Sequence, residues 1–182
     1  GEPFKNHSKR IAFVGSRKAD GYAQQVISSL VEPLVSNGWV IVSGGAHGAD
    51  SFAHQATLDA KGKTIVVFGS GLLCPYPEQN KKLFKNVFKH GGTLVSAFPL
   101  RTPPDKKTFP ARNRIIAGLS QGSVIVQAAQ KSGALITAQF CLDQGRQVFA
   151  VPGSIFNELS FGCHHLLAQG AKLINNVQDI LD

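Results

Sequence analysis

Three features of this sequence predict a doubly wound α/β fold, a mainly parallel sheet with helices on both faces. Short apolar runs alternate with helical patterns along the chain. Most of those runs are apolar throughout rather than alternating, as strands covered on both faces require. Several run into glycine-containing loops that open a helix, the turn at which such folds place their ligands.

The first run, Ile11 to Val14, ends at Gly15 and reads as a buried strand entering a tight turn. A helix is expected over 20–36, with Val26, Leu30 and Leu34 on one face and Asn37-Gly38 closing it. A second strand over 39–43 meets the loop Gly44-Gly45-Ala46-His47-Gly48, and a helix follows over 50–60. The third strand, 64–68, passes through Gly69-Ser70-Gly71 to Tyr76-Pro77 and a lysine-rich helix over 78–89. Gly91-Gly92 turns the chain into a strand over 93–96, and the prolines at 99, 103 and 104 mark an ordered surface loop. Pro110 suits the first turn of the next helix, whose Ile115, Ile116 and Leu119 share a core-facing side. Strands at 123–127, 147–151 and 172–174 then alternate with helices at 132–143 and about 163–168, before a helical tail at 177–181.

With 182 residues, 43% of them hydrophobic and 16% charged, the chain is expected to form one domain over 11–182 after a flexible segment at 1–10. No apolar run approaches the roughly 20 residues of a membrane span. Cys74, Cys141 and Cys163 form no CxxC pair, so neither a disulfide framework nor a structural metal is expected, and all three read as packing residues. The net charge of +8 is concentrated. Between Lys81 and Arg114 lie nine Lys and Arg against the single acid Asp105, while the rest of the chain balances. Such a block is the footprint of a polyanionic partner, or else a solvated charged face.

The stretch from Phe109 to Ser120 carries the sharpest conflict. Arg112 and Arg114 fall in the early turns of a helix, where the backbone is already partially positive. Either solvent and a nearby carboxylate absorb that conflict, or an external anion does. The loop from Ser43 to Gly48 joins bare backbone to a helix start, a natural anion site. It is neither a P-loop nor the GxGxxG fingerprint. Ser132 is a good N-cap, and Lys131 beside it can point at the same anion. No catalytic constellation is expected: there is no GxSxG, no HExxH and no paired carboxylate loop. Asp50 reads as a helix cap.

Taken together and in order, these motifs resemble the Rossmann-like domain of the DNA-processing protein A (DprA/Smf) family. The resemblance rests on Val14 to Arg17, Ser43 to Asp50 with Ala53-His54, Gly69-Ser70-Gly71 with Tyr76-Pro77, Asn80 and Leu83, Phe109 to Ser120, Ser132 to Ala138, and Gly145 to Gly153. It covers residues 11 to 174. Members often carry Arg at the place of His47 and Ile at that of Ala49, and many add a small helical domain and a winged-helix domain.

The resemblance implies a cytoplasmic, homodimeric protein without cofactor. Such a protein binds single-stranded DNA during natural transformation, protects it and helps load RecA recombinase. The implied DNA-binding residues are Gly15, Ser16, Arg17, Gly44, Gly45, His47, Lys81, Lys82, Arg112, Asn113, Arg114, Lys131 and Ser132. Tyr76, Phe84, Phe88 and Phe109 are candidate rings for base stacking. The competing readings are a nucleotide-processing enzyme of the lysine-decarboxylase-like (LOG) type and a sensor of free nucleotides. The first needs a PGGxGT loop followed by Glu, and the loop at 43–50 lacks both the Pro and the Glu.

Overall fold

The structure, a computed structural model, describes residues 9–182. Seven strands form one sheet: β1 (Arg10–Val14), β2 (Val40–Ser43), β3 (Thr64–Phe68), β4 (Thr93–Ser96), β5 (Gly122–Ile125), β6 (Gln147–Ala150) and β7 (Lys172–Leu173). The helices are α1 (Gly21–Ser36), α2 (Ala49–Asp59), α3 (Lys81–Lys89), α4 (Thr108–Leu119), α5 (Gly133–Asp143), α6 (Phe161–Ala168) and α7 (Gln178–Leu181). The strand order is β4-β3-β2-β1-β5-β6-β7, and every pairing is parallel. The expected doubly wound fold is therefore present.

The apolar strands explain the two layers. Every residue of β3 and β5 is buried, so each strand needs cover on both sides. On one face Phe13, Ile41 and Val124 meet Ile27, Leu30 and Leu34 of α1 and Ala53 of α2. On the other, Val14, Val42 and Ile125 meet Ile116 of α4, Ala138 of α5 and Cys163 of α6. α3 extends the first layer beside α2, over Val66 and Phe68. Successive strands wind outward from β1 in both directions, so the chain reverses its order between β1 and β5. That crevice is where such sheets bind ligands. A reciprocal pair braces it: Gln127 Nε2 donates to Asp20 Oδ1 at 3.0 Å, and Asp20 N–H donates to Gln127 Oε1 at 3.2 Å.

Several boundaries differ from the sequence reading. Arg10 opens β1, and residues 1–8 of the segment expected to be flexible lie outside the described residues. β5 stops at Ile125 because Gln127 is drawn into the crevice, where its C=O also accepts from Ser16 N–H at 2.6 Å. A 3-10 turn, Glu78–Asn80, precedes α3. The cysteines are free, with Cys141 and Cys163 in the core and Cys74 half-buried. Burial pushes the Cys163 thiol up to about 12.

His54 of α2 is fully buried. Its Nδ1 lies 2.8 Å from Thr64 Oγ1, whose only hydrogen goes to Ile41 C=O at 2.7 Å. Nδ1 must therefore carry the proton, which leaves Nε2 as an unpartnered acceptor. A second proton would bury both a charge and an unpartnered N–H. Burial, helped by the Arg112 charge, accordingly lowers the pKa to about 3. A depressed histidine contributes stability that is fully present above its unfolded value near 6.5 and is lost as pH falls toward 3. Urea unfolding between pH 7 and 5 is predicted to show a stability slope of up to ~1.4 kcal/mol per pH unit that disappears in His54→Asn. An identical slope in the variant contradicts this assignment.

Candidate nucleic-acid interface

The loops after β1, β2 and β3 converge on the N-terminal end of α4 at the crevice. The first is held rigidly. Ser16 is buried, its C=O accepts from Ala49 N–H at 3.2 Å, and its Oγ accepts from Lys18 N–H at 3.0 Å. Gly15 is compact for the same reason: a side chain there would strike Ala49 Cβ. Gly15 and Ser16 thus build the turn that presents the exposed Arg17.

The second loop is organised from below by Arg112. Only 5% of this side chain is exposed. Its Nη1 donates to Gly44 C=O at 2.6 Å and to Val67 C=O at 2.5 Å, and its Nε donates to Asn113 Oδ1 at 3.1 Å. Gly44 has to be glycine, because a Cβ would lie 2.3 Å from Nη1. Asp50, also buried, receives Ala46 N–H at 3.2 Å. Burial pushes its carboxyl above the usual range, and the Arg112 charge holds it down. Burial in turn pulls Arg112 below its ordinary value, and Asp50 opposes that; a guanidinium starts so high that it stays charged.

Of the two alternatives for the conflict at the start of α4, the inward one is seen: a buried carboxylate and two backbone carbonyls face the Arg112 guanidinium, which still borders the cleft. One expectation is corrected. Asp50 does not cap α2. Gly48 occupies the cap position, and Asp50 reaches back to close the loop. Ala46 and Ala49 N–H groups are thereby spent internally, which reduces what the glycine loop offers an anion.

Aromatic residues complete the site. The Phe109 ring lies 5.3 Å from the Arg17 guanidinium, 6.0 Å from that of Arg112 and 5.8 Å from the Tyr76 ring. A ring flanked by two cations is polarised and fixed in place. Thr108 holds the start of α4 in register by donating Oγ1–H to Gly69 C=O at 2.5 Å. Arg17, Gly44, His47, Tyr76, Phe109 and Arg112 enclose a shallow cleft of about 20 Å³. That holds roughly a water molecule, whereas enclosed small-ligand pockets run to ~300–1,000 Å³. The chemistry on offer is a surface one: a cationic edge, an aromatic face and backbone at a helix start.

Of the residues expected to bind, Arg17, Gly44, His47 and Arg112 meet in this cleft, and Gly45 lies in its loop. Asn113 ties α4 to α5, its Nδ2 donating to Gly133 C=O at 3.2 Å. Ser132 caps α5 by accepting Ala134 N–H at 3.2 Å. Arg114 and Lys131 are exposed outside the cleft lining. Lys81 pairs with Glu78 at 2.8 Å on the flank of α3, and Lys82 is exposed on the same helix. Asn80 was missing from the expected site. Its Nδ2 lies 2.9 Å from Gly45 C=O and 2.9 Å from Ser51 Oγ, so it pins the glycine loop to α3. An Asn just after a Tyr-Pro turn was the available signal.

The two arginines should therefore separate in a stability assay. Arg112→Met leaves two carbonyls and a buried carboxylate without their cation and is predicted to cost ~3–5 kcal/mol in urea unfolding. Arg17→Ala should leave the unfolding midpoint within error. Equal effects would contradict the inward role of Arg112.

The sequence model of the family "DNA recombination-mediator protein A" matches residues 1–182. The chain is 46% identical over 174 residues to DNA processing protein DprA of Bacillus subtilis, covering 96% of this chain and 58% of that protein. It is 44% identical over 182 residues to protein Smf of Escherichia coli, covering 100% of this chain and 49% of that one. It thus spans about half the length of these curated relatives. An X-ray structure of DprA from Streptococcus pneumoniae superposes with a TM-score of 0.88 at 43% identity, covering 95% of this chain and 60% of that one. DNA processing protein A from Helicobacter pylori, described for its single-stranded DNA binding mode, superposes with a TM-score of 0.86 at 32% identity, covering 96% and 79%. A molybdenum cofactor binding protein from Rippkaea orientalis reaches 0.67 at 16% identity, which is a likeness of fold alone. The convergent loops, the basic block and these matches together show that the chain belongs to the DNA recombination-mediator protein A (DprA/Smf) family.

Proposed function

We propose that this chain binds single-stranded DNA, without reading its sequence, at the crevice between β1 and β5. The observation that carries this reading is the cluster of Arg17, Phe109 and Tyr76 over the glycine loop. Arg17 neutralises a phosphate, and Phe109 and Tyr76 offer faces on which an unpaired base stacks. A duplex keeps its base faces covered, so the same site discriminates against it. Backbone charge and ring stacking are indifferent to base identity, and no groove-reading helix is presented. The relative from Helicobacter pylori supports the same ligand.

The family resemblance supports a biological role as well. The bound strand is incoming DNA in natural transformation, held in the cytoplasm by a homodimer that shields it and helps load RecA recombinase onto it. The role is one of binding and hand-over, without a chemical step of its own and without a cofactor. Among the described residues no helix is long and apolar enough to cross a membrane. A small-ligand enzyme or nucleotide sensor is disfavoured by the size of the cleft, which is too small to enclose a nucleotide.

Fluorescence anisotropy with labelled oligo-dT and a matched duplex tests this reading. Single strands are predicted to bind more tightly, with an affinity that falls as salt rises by about 0.7 log units per decade for each phosphate contacted. Phe109→Ala should weaken binding roughly five- to a hundredfold by removing one stacking face, and Arg17→Ala should also flatten the salt dependence. Equal binding to both DNAs, indifferent to these changes, would overturn the reading.

A further inference from the structure

A second feature on the same side of the molecule is not used by the crevice. α3 runs along the sheet edge formed by β4, and between them lies an open groove of about 300 Å³. Its floor and walls include Leu72, Phe84, Phe88 and Leu94. Phe88 is 56% exposed although it belongs to the most apolar side of the helix. Along one wall stand Lys81, Lys85 and Lys89. α3 itself carries no acid, and the nearest one, Glu78, is taken by Lys81. Lys82, which the family resemblance also implies for DNA, does not line this groove.

We propose that this groove is a second subsite for single-stranded DNA, continuing the strand that leaves the crevice. The inference rests on the crevice reading above. Three observations support the occupant. First, the lysines recur every fourth residue, about 6 Å apart along a helix axis. That is a spacing short enough for consecutive phosphates of an extended strand, and counterion release favours the pairing. Second, Phe88 presents an open ring face beside the lysine row. A base stacked there keeps its polar edges in water, so no buried polar group is left unsatisfied. Third, groove and crevice are neighbours. Pro75 lines the groove, while the next residues, Tyr76 and Pro77, line the cleft. Phe84 lines the groove and also packs against the glycine loop, so close to Gly45 that a Cβ there would sit 2.7 Å from its ring. Asn80 clamps the start of α3 to the same glycine loop. A strand passing over Tyr76 therefore meets the lysine row next.

The test compares labelled oligo-dT of about 6 nucleotides, enough for the crevice, with oligo-dT of about 20 nucleotides, longer than the ~4–16 that a single such surface occupies. The variants are Phe88→Ala and the double change Lys85→Gln with Lys89→Gln, all at exposed positions that leave the core intact. The short strand should bind every groove variant within twofold of the wild type. The long strand should lose roughly five- to a hundredfold in Phe88→Ala. Its salt slope should shrink by about 1.4 in the double variant, two phosphate contacts at 0.7 each. Phe88→Trp adds a direct readout: its fluorescence should be quenched by the long strand and not by the short one. Unchanged long-strand affinity, slope and fluorescence would overturn the subsite and leave the groove to an acidic protein segment. If the wild type bound neither strand, the crevice reading would fail and the subsite with it, so the two failures are distinct.

Discussion

The site depends on one buried cation. Arg112 sits at the start of α4 with its guanidinium under the glycine loop, bonded to the carbonyls of Gly44 and Val67. These carbonyls end β2 and begin the exit from β3, so one side chain ties two neighbouring strand ends to a helix. Asp50 balances its charge from α2. The arrangement is expensive to dismantle, because removing any member leaves polar atoms buried without partners. It also sets the surface above. Phe109 is three residues earlier on the same helix, and its ring lies against the guanidinium that Arg112 holds in place.

Rigidity below permits exposure above. Arg17 is presented by a turn whose Ser16 is buried and bonded on both sides, and Tyr76 follows a loop fastened at Gly69 and Ser70. Cationic and aromatic groups are thus held at the surface by a scaffold that needs no ligand to form. A shallow preformed surface suits a long flexible polymer, which supplies its affinity through many small contacts along its length. It suits an isolated small molecule poorly, since that must gain its affinity from enclosure.

Much of the fold was legible in the sequence because its signals are local. Short apolar runs such as Ile65–Phe68, rich in β-branched residues and bounded by glycine, read as strands buried on both faces. The strand order could not be read, because it depends on which strands lie side by side. The site was legible in part. Gly44, His47 and Arg17 were implied by the family resemblance of their motifs, and they do share the cleft. The inward turn of Arg112 was not, since its carbonyl partners, Gly44 just after β2 and Val67 in β3, lie 68 and 45 residues away in sequence. Neighbouring arginines at 112 and 114 look alike in a sequence, yet helix rotation buries one and exposes the other. The clamp by Asn80 escaped for the same reason, its acceptors being on another loop.

The most direct measurement is a crystal structure of this chain with a short oligo-dT. It should show a phosphate within hydrogen-bond distance of Arg17 and a base against the Phe109 ring, while Arg112 still donates to Gly44 and Val67. A strand bound on another face, or an Arg112 swung outward to a phosphate, would contradict the division of labour between the two arginines.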